Sequence, residues 1–134
     1  MDFSGMNYLA VAIAAIVGMI SGAAWYGVLA KPWMKAAGVS EEDVNGPNTG
    51  KYVVALLAQF VIAYLLAGLI GHLDTFSLGG GIITALFCWI GFCLAPMMVN
   101  HRFQGAGWDL TAIDGGYWLV VFVLQGAIIG WIGL

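Results

Sequence analysis

Apolar positions in this chain run on almost without interruption, where a water-facing helix or strand would break them up with a polar face. Four such stretches extend approximately from Met6 to Leu29, Tyr52 to Gly71, Gly80 to Asn100 and Leu110 to Leu134. Each is near the roughly 20 residues that cross a hydrocarbon core as a helix. A helix that is apolar all round has lipid or protein, not water, as its surroundings. The pattern therefore predicts an all-α integral membrane protein, with four transmembrane helices in a compact bundle forming a single transmembrane domain over residues 1–134. The first stretch is expected to be a retained span rather than a cleaved signal, because Met1-Asp2-Phe3-Ser4 carries no Lys or Arg and the apolar run exceeds a signal-peptide core.

Polar sequence is concentrated in one interfacial loop over residues 30–51. Lys31-Pro32-Trp33-Met34-Lys35 reads as a short helix lying at the membrane surface, and Ser40-Glu41-Glu42-Asp43 as a capped single turn. Asn45-Gly46 signals a turn. Ser77 is placed to cap the third helix and Asp109 the fourth.

Composition sharpens the class. Hydrophobic residues make up 62% of the chain and charged residues 8%, against about 45–50% and about 25% in soluble domains. Four basic residues cannot neutralise many phosphates, so nucleic acid is excluded as an expected partner. Lys31, Lys35 and Lys51 lie in the first loop and Arg102 in the third, and there is no other Lys or Arg. The positive-inside rule then predicts that both termini are extracytoplasmic. Cys88 and Cys93, five apart, would hold their Cα atoms about 8.6 Å apart on a helix, beyond disulfide reach.

Helices in lipid need small residues to approach one another. Ala10, Ala14, Gly18 and Gly22 recur every fourth residue in the first stretch, Ala63, Ala67 and Gly71 in the second, and Gly126 and Gly130 in the fourth. These ladders predict helix packing within the chain, and a ladder facing outward would make a seam between copies. A weak internal repeat at an offset of 64 residues aligns Trp25, Gly27, Pro32 and Met34 with Trp89, Gly91, Pro96 and Met98. A looser echo pairs Tyr52 and Gln59 with Tyr117 and Gln125. Two parallel-repeated helical hairpins would have this signature.

Candidate chemistry gathers at the end carrying the first and third loops. Trp25, Tyr26, Lys31, Asn100, Arg102, Asp114 and Tyr117 form the candidate polar site. Most aromatics there fit an interfacial belt, but Asp114 does not, since it falls inside the fourth helix. An acid at that depth requires a partner or water. Arg102, Lys31 and the hydroxyls of Tyr26 and Tyr117 are the candidates, with an Asp114–Arg102 bridge as the structural explanation and a proton-linked or ligand-binding carboxylate as the functional one. Gln59 and Gln125 are expected to join helices through their amides. His72 and His101 fall at opposite faces and cannot share a metal, and no metal-ligand spacing, nucleophile motif or phosphate loop is present. No catalytic residue, metal or cofactor is expected.

Gly22-Ala-Ala-Trp-Tyr-Gly27, then Lys31, Trp33-Met34 and Gly38-Val-Ser-Glu-Glu-Asp43, resemble the opening of a bacterial four-span membrane protein family catalogued as domain of unknown function 1761. Asn100 to Phe103 and Ile113-Asp-Gly-Gly-Tyr-Trp-Leu119 resemble its closing motif. The resemblance implies a bacterial inner-membrane protein and brings no activity. Small multidrug exporters use a membrane-embedded Glu in the first helix, which this chain lacks, and dual-topology fluoride channels balance their loop charge. The expected function is that of a structural or accessory subunit, packing through its glycine ladders into a homo-oligomer or a larger membrane complex. The alternative is a small-solute or ion/proton-coupled transport module with a cytoplasm-facing site around Asp114.

Overall fold

The computed structural model describes residues 3–46 and 49–133. Asn48 in the first loop and Leu134, the expected end of the last span, lie outside them. In chain order the elements are α1 (Tyr8–Val28), α2 (Ala30–Ala37), α3 (Glu41–Val44), α4 (Gly50–His72), α5 (Leu78–Cys88), a π-helical segment (Trp89–Leu94), α6 (Ala95–Phe103) and α7 (Trp108–Ile132). No strand occurs among the described residues. α1, α4, the continuous Leu78–Phe103 and α7 are each long and apolar enough to cross a membrane.

Local chemistry sets the ends of these helices. Asn7 accepts from the Ala10 amide at 3.1 Å to cap α1, and its side-chain nitrogen donates to the Ile132 carbonyl at 3.1 Å, tying the start of α1 to the end of α7. Ser40 and Asp43 form a reciprocal capping box on α3, and the bonds from Ser40 hold the Asp43 carboxyl below the usual carboxylate range. Ser77 accepts from the Gly80 amide at 2.9 Å, as expected. Asp109 does not cap α7. Gly107 occupies that position with an extended backbone, placed there by the left-handed turn at Gly105 (φ 76°), and Asp109 lies in the first turn, where a carboxylate suits the helix dipole.

The π-helical segment interrupts the third span just ahead of Pro96. Proline has no N–H and its ring crowds the carbonyl four residues back, so the turn before it widens. The Ala95 amide accordingly bonds the Ile90 carbonyl, five residues back.

α7 is the central helix, packing most extensively on α5 and next on α1, while α1 also lies along α4. Glycines permit the approach. A Cβ at Gly126 would sit 2.4 Å from the Gly81 carbonyl oxygen, and one at Gly130 would sit 2.2 Å from that of Ser77. A Cβ at Gly18 would strike the Gln59 side chain at 2.0 Å, and one at Gly22 the Tyr117 hydroxyl at 2.9 Å. Ala14, Ala63, Ala67, Ala85 and Ile129 share one buried cluster. The candidate packing residues Gly18, Gly22, Ala63, Ala67, Gly126 and Gly130 are thus all engaged within the chain. The outward-facing ladder that would make a seam between copies is not found among them. Large side chains face outward instead, among them Val54, Leu57 and Val61 on α4 and Phe87 and Phe92 on the third span, as lipid-facing positions require.

Candidate functional site

The end of the bundle that carries the first and third connections brings together α1, α2, α6 and the start of α7. Asp114, at the second turn of α7, is the centre. Its Oδ1 accepts two hydrogen bonds, from the Tyr26 hydroxyl at 2.7 Å and from the Trp33 indole at 3.1 Å. Trp33 reaches it because the helix breaks at Leu29 (φ −100°, ψ 20°) and resumes as α2. The Tyr26 and Trp33 rings meet edge to face, 5.8 Å between centroids. Oδ2 faces the His101 Nε2 at 3.9 Å, within ion-pair range but beyond a hydrogen bond. The other ring nitrogen of His101 is 2.7 Å from the Thr111 hydroxyl.

Arg102 does not bridge to Asp114. Its Nη2 donates to the Thr111 hydroxyl at 2.8 Å and to the carbonyls of Gly107 at 2.9 Å and Ala106 at 3.2 Å, and its guanidinium stacks on the Trp108 ring at 3.6 Å. Adjacent helix residues point about 100° apart: His101 is turned to both Asp114 and Thr111, while Arg102 reaches Thr111 and the third loop. Arg102 fastens the third loop to α7, and Asn100 is exposed. Lys31 is also turned away: it lies about 200° from Trp33 around α2 and is exposed. Tyr117, one turn deeper than Asp114, does not bond it.

Tyr117 belongs to a second polar tier. Its hydroxyl donates to the Gly18 carbonyl at 3.2 Å and accepts from the Gln59 amide at 2.8 Å, while Gln125 donates to the Gln59 side-chain oxygen at 2.8 Å. Gln59 and Gln125 are 1% and 0% exposed, so α1, α4 and α7 are joined by side-chain bonds in the interior, each contributing on average about 0.6 kcal/mol in a membrane. The Gln125 Oε1 has no partner among the described residues. Tyr26 and Tyr117, with ring centroids 5.1 Å apart, place the two tiers in contact.

Beside the site, a groove of about 520 Å³ is lined by the third span, with Asn100, His101 and Gln104 near its end, by Trp118 and Phe122 of α7 and by Ile62 of α4. His101 is therefore both a neighbour of Asp114 and a wall of this groove. No group of three or more His, Cys, Asp or Glu side chains suited to a metal occurs among the described residues.

Of the candidate residues, the structure gathers Asp114 and Tyr26, with Trp25 bonded to the same stretch of α7 through the Ile113 carbonyl at 2.9 Å. Trp33, His101 and Thr111 complete the site, although the sequence singled out none of them for it. A signal existed for Thr111, which is three residues before Asp114 and so shares its helix face. For His101 the signal was only adjacency to Arg102.

Four apolar helices around an interior polar tier, with an ionisable cluster near one end, define a multi-pass helical membrane protein. Residues 9–130 match a family described as protein of unknown function, DUF1761, and the chain belongs to that family. No curated protein and no solved structure matches it.

Proposed function

We propose that the protein is a proton-responsive binding module of the transport type, built around Asp114 and His101. The observation that carries this reading is the unequal treatment of the carboxylate. Oδ1 is saturated by Tyr26 and Trp33, whereas Oδ2 is left facing an ionisable ring at 3.9 Å. Buried polar atoms are as a rule hydrogen-bonded, whereas Oδ2, on a side chain that is 22% exposed, has no fixed donor among the described residues. Here Oδ2 stays free for a proton carried by His101 or for the N–H or O–H of a small cationic or hydrogen-bonding solute. Histidine is the side chain suited to exchanging protons near neutrality, and its second ring nitrogen is held by Thr111, which fixes its orientation.

Infrared difference spectra of the lipid-reconstituted protein between acidic and neutral pH are expected to show a carboxylate change. The exposed acids Glu41, Glu42, Asp74 and Asp109 contribute bands of their own, so the Asp114 band is the component that Asp114→Asn removes and His101→Phe displaces. A difference spectrum that Asp114→Asn leaves unchanged refutes the reading.

The sidedness follows from charge. Lys31, Lys35, Lys51 and Arg102 all lie in or next to the connections at the site's end of the bundle, which supports a site that faces the cytoplasm and termini that face outward, in the bacterial inner membrane that we infer for this family. In intact cells, a membrane-impermeant thiol reagent is expected to label a cysteine introduced at Asp74 and to spare one at Asn45, in a background lacking Cys88 and Cys93. The opposite pattern moves the site to the outer face.

A second reading, an accessory subunit in a homo-oligomer or larger membrane complex, draws on the third span, the least buried of the four. Phe87, Phe92 and Phe103 are 72%, 84% and 90% exposed. A monomer under native mass spectrometry from lipid nanodiscs would count against that reading and leave the binding module untouched.

A further inference from the structure

We propose that Trp25 and Trp89 are a matched pair of positioning residues, which grip α7 on either side of Asp114 and hold its carboxylate in one orientation toward Tyr26, Trp33 and His101. The proposal rests on the reading of Asp114 as a proton-responsive group. Trp25 donates its indole N–H to the Ile113 carbonyl at 2.9 Å, and Trp89 donates its own to the Gly115 carbonyl at 3.0 Å. These are the two residues flanking Asp114. Positions two apart on a helix differ by about 200°, so the two indoles hold the helix from nearly opposite sides, one from α1 and the other from the third span.

An interfacial aromatic belt would turn its indoles toward the headgroups. Both of these rings are part-buried and turn onto a single helix instead. The backbone is adapted to receive them. A Cβ at Gly116 would lie 2.9 Å from Trp25 Cζ2, so the ring packs where only glycine leaves room. At Gly115 a Cβ would come within 3.3 Å of Leu94 Cδ1, in the π-helical segment that carries Trp89.

The two tryptophans are also the leading pair of the 64-residue repeat, and each stands seven residues ahead of a proline, Pro32 or Pro96. In both halves the helix is irregular between the tryptophan and the proline: it breaks at Leu29 in the first and widens over Trp89–Leu94 in the second. A carbonyl inside a helix is normally paired with the amide four residues on, so the extra indole bond is not needed to satisfy α7. Its consequence is to restrict how the Asp114 turn can shift or rotate.

The test follows the Asp114 carboxylate band through a pH titration in lipid. Trp25→Phe and Trp89→Phe keep an aromatic ring and remove the N–H. Each is expected to change the apparent proton affinity of the Asp114 band at least threefold and to broaden it, and the double variant to do so further. Trp131→Phe, at the opposite end of the bundle, is expected to change neither. Gly116→Ala displaces the Trp25 ring while leaving its indole intact, and is expected to act in the same direction as Trp25→Phe, which keeps the proposal testable if that variant does not fold. Lower thermal stability with an unchanged titration in these variants overturns the proposal and reduces the indoles to packing groups. If the unmodified protein shows no Asp114-dependent titration at all, the reading of the site fails instead, and the proposal with it. An unmodified protein that titrates alongside unaffected Trp variants preserves the site reading and sinks the proposal alone.

Discussion

Gly126→Leu is expected to prevent the bundle from assembling, giving aggregated or protease-sensitive protein after detergent extraction. Even the first carbon of a side chain there would lie 2.4 Å from the Gly81 carbonyl oxygen and 2.6 Å from the Ala85 Cβ. Backbone atoms cannot rotate away as a flexible side chain can, so α7 would have to part from α5 along its most extensive interface. Lipid offers no hydrophobic drive to close the gap again, since helix association in a membrane depends on close packing. Gly126→Ala poses the same conflict more gently and is expected to lower stability by about 1–3 kcal/mol. Gly130→Leu and Gly22→Leu are expected to follow Gly126→Leu, the latter less severely because the Tyr117 side chain can yield. Gly91→Leu is the control: nothing lies within 4 Å of a Cβ there, and unfolding titrations should leave it near the unmodified protein. A Gly126→Leu protein that unfolds at the unmodified midpoint would contradict the α5–α7 packing described above.

Replacing Asp114 separates the two components of its role. Asp114→Leu strips the acceptor from both the Tyr26 hydroxyl and the Trp33 indole, and part-buried donors left without a partner are costly at about 1–3 kcal/mol each. Removing the charge offsets part of this, because a carboxylate at bilayer depth itself costs roughly 2.5–3.5 kcal/mol, falling toward the interface. The expected net loss is about 2 kcal/mol, read as a lower unfolding midpoint, with α2 freed from α7. Asp114→Asn keeps an oxygen for the same two donors and is expected to unfold within about 1 kcal/mol of the unmodified protein, while losing every pH-dependent signal of the site. Equal stability of the Leu and Asn variants would show that the two hydrogen bonds to Oδ1 contribute little. Loss of folding in the Asn variant would make the carboxylate structural.

Much of the architecture was readable from hydropathy alone. The expected spans of residues 6–29, 52–71, 80–100 and 110–134 compare with observed helices Tyr8–Val28, Gly50–His72, Leu78–Phe103 and Trp108–Ile132, because apolar runs this long have few alternatives to crossing a bilayer as helices. The capping box at Ser40 and the cap at Ser77 were equally legible, since both are formed by residues within one turn of each other. Asp114 stood out for a related reason: a single charge inside an apolar helix contrasts with everything around it.

The partners of Asp114 were not legible. Whether His101 or Arg102 meets Asp114 depends on the rotational phase of α6, and that phase is set by the π-helical segment over Trp89–Leu94. An extra residue in one turn rotates everything beyond it by about 100°, a change to which a hydropathy profile is blind. Trp33 depends similarly on the break at Leu29, which folds α2 back toward Asp114. The ladders carry the same lesson: four-residue spacing shows that Gly126 and Gly130 lie on one face, but not that Gly81 of the same chain occupies it. The four long apolar helices to within a few residues, the caps at Ser40 and Ser77 and the presence of one costly acid were thus open to reading from the chain alone, because each depends on residues close together in it, whereas the cap of α7 passed from the expected Asp109 to Gly107. Which side chains meet the costly acid, and which faces close on one another, follow from the folded arrangement, because those contacts join residues as far apart as Tyr26 and Asp114 and turn on two local irregularities of helix geometry.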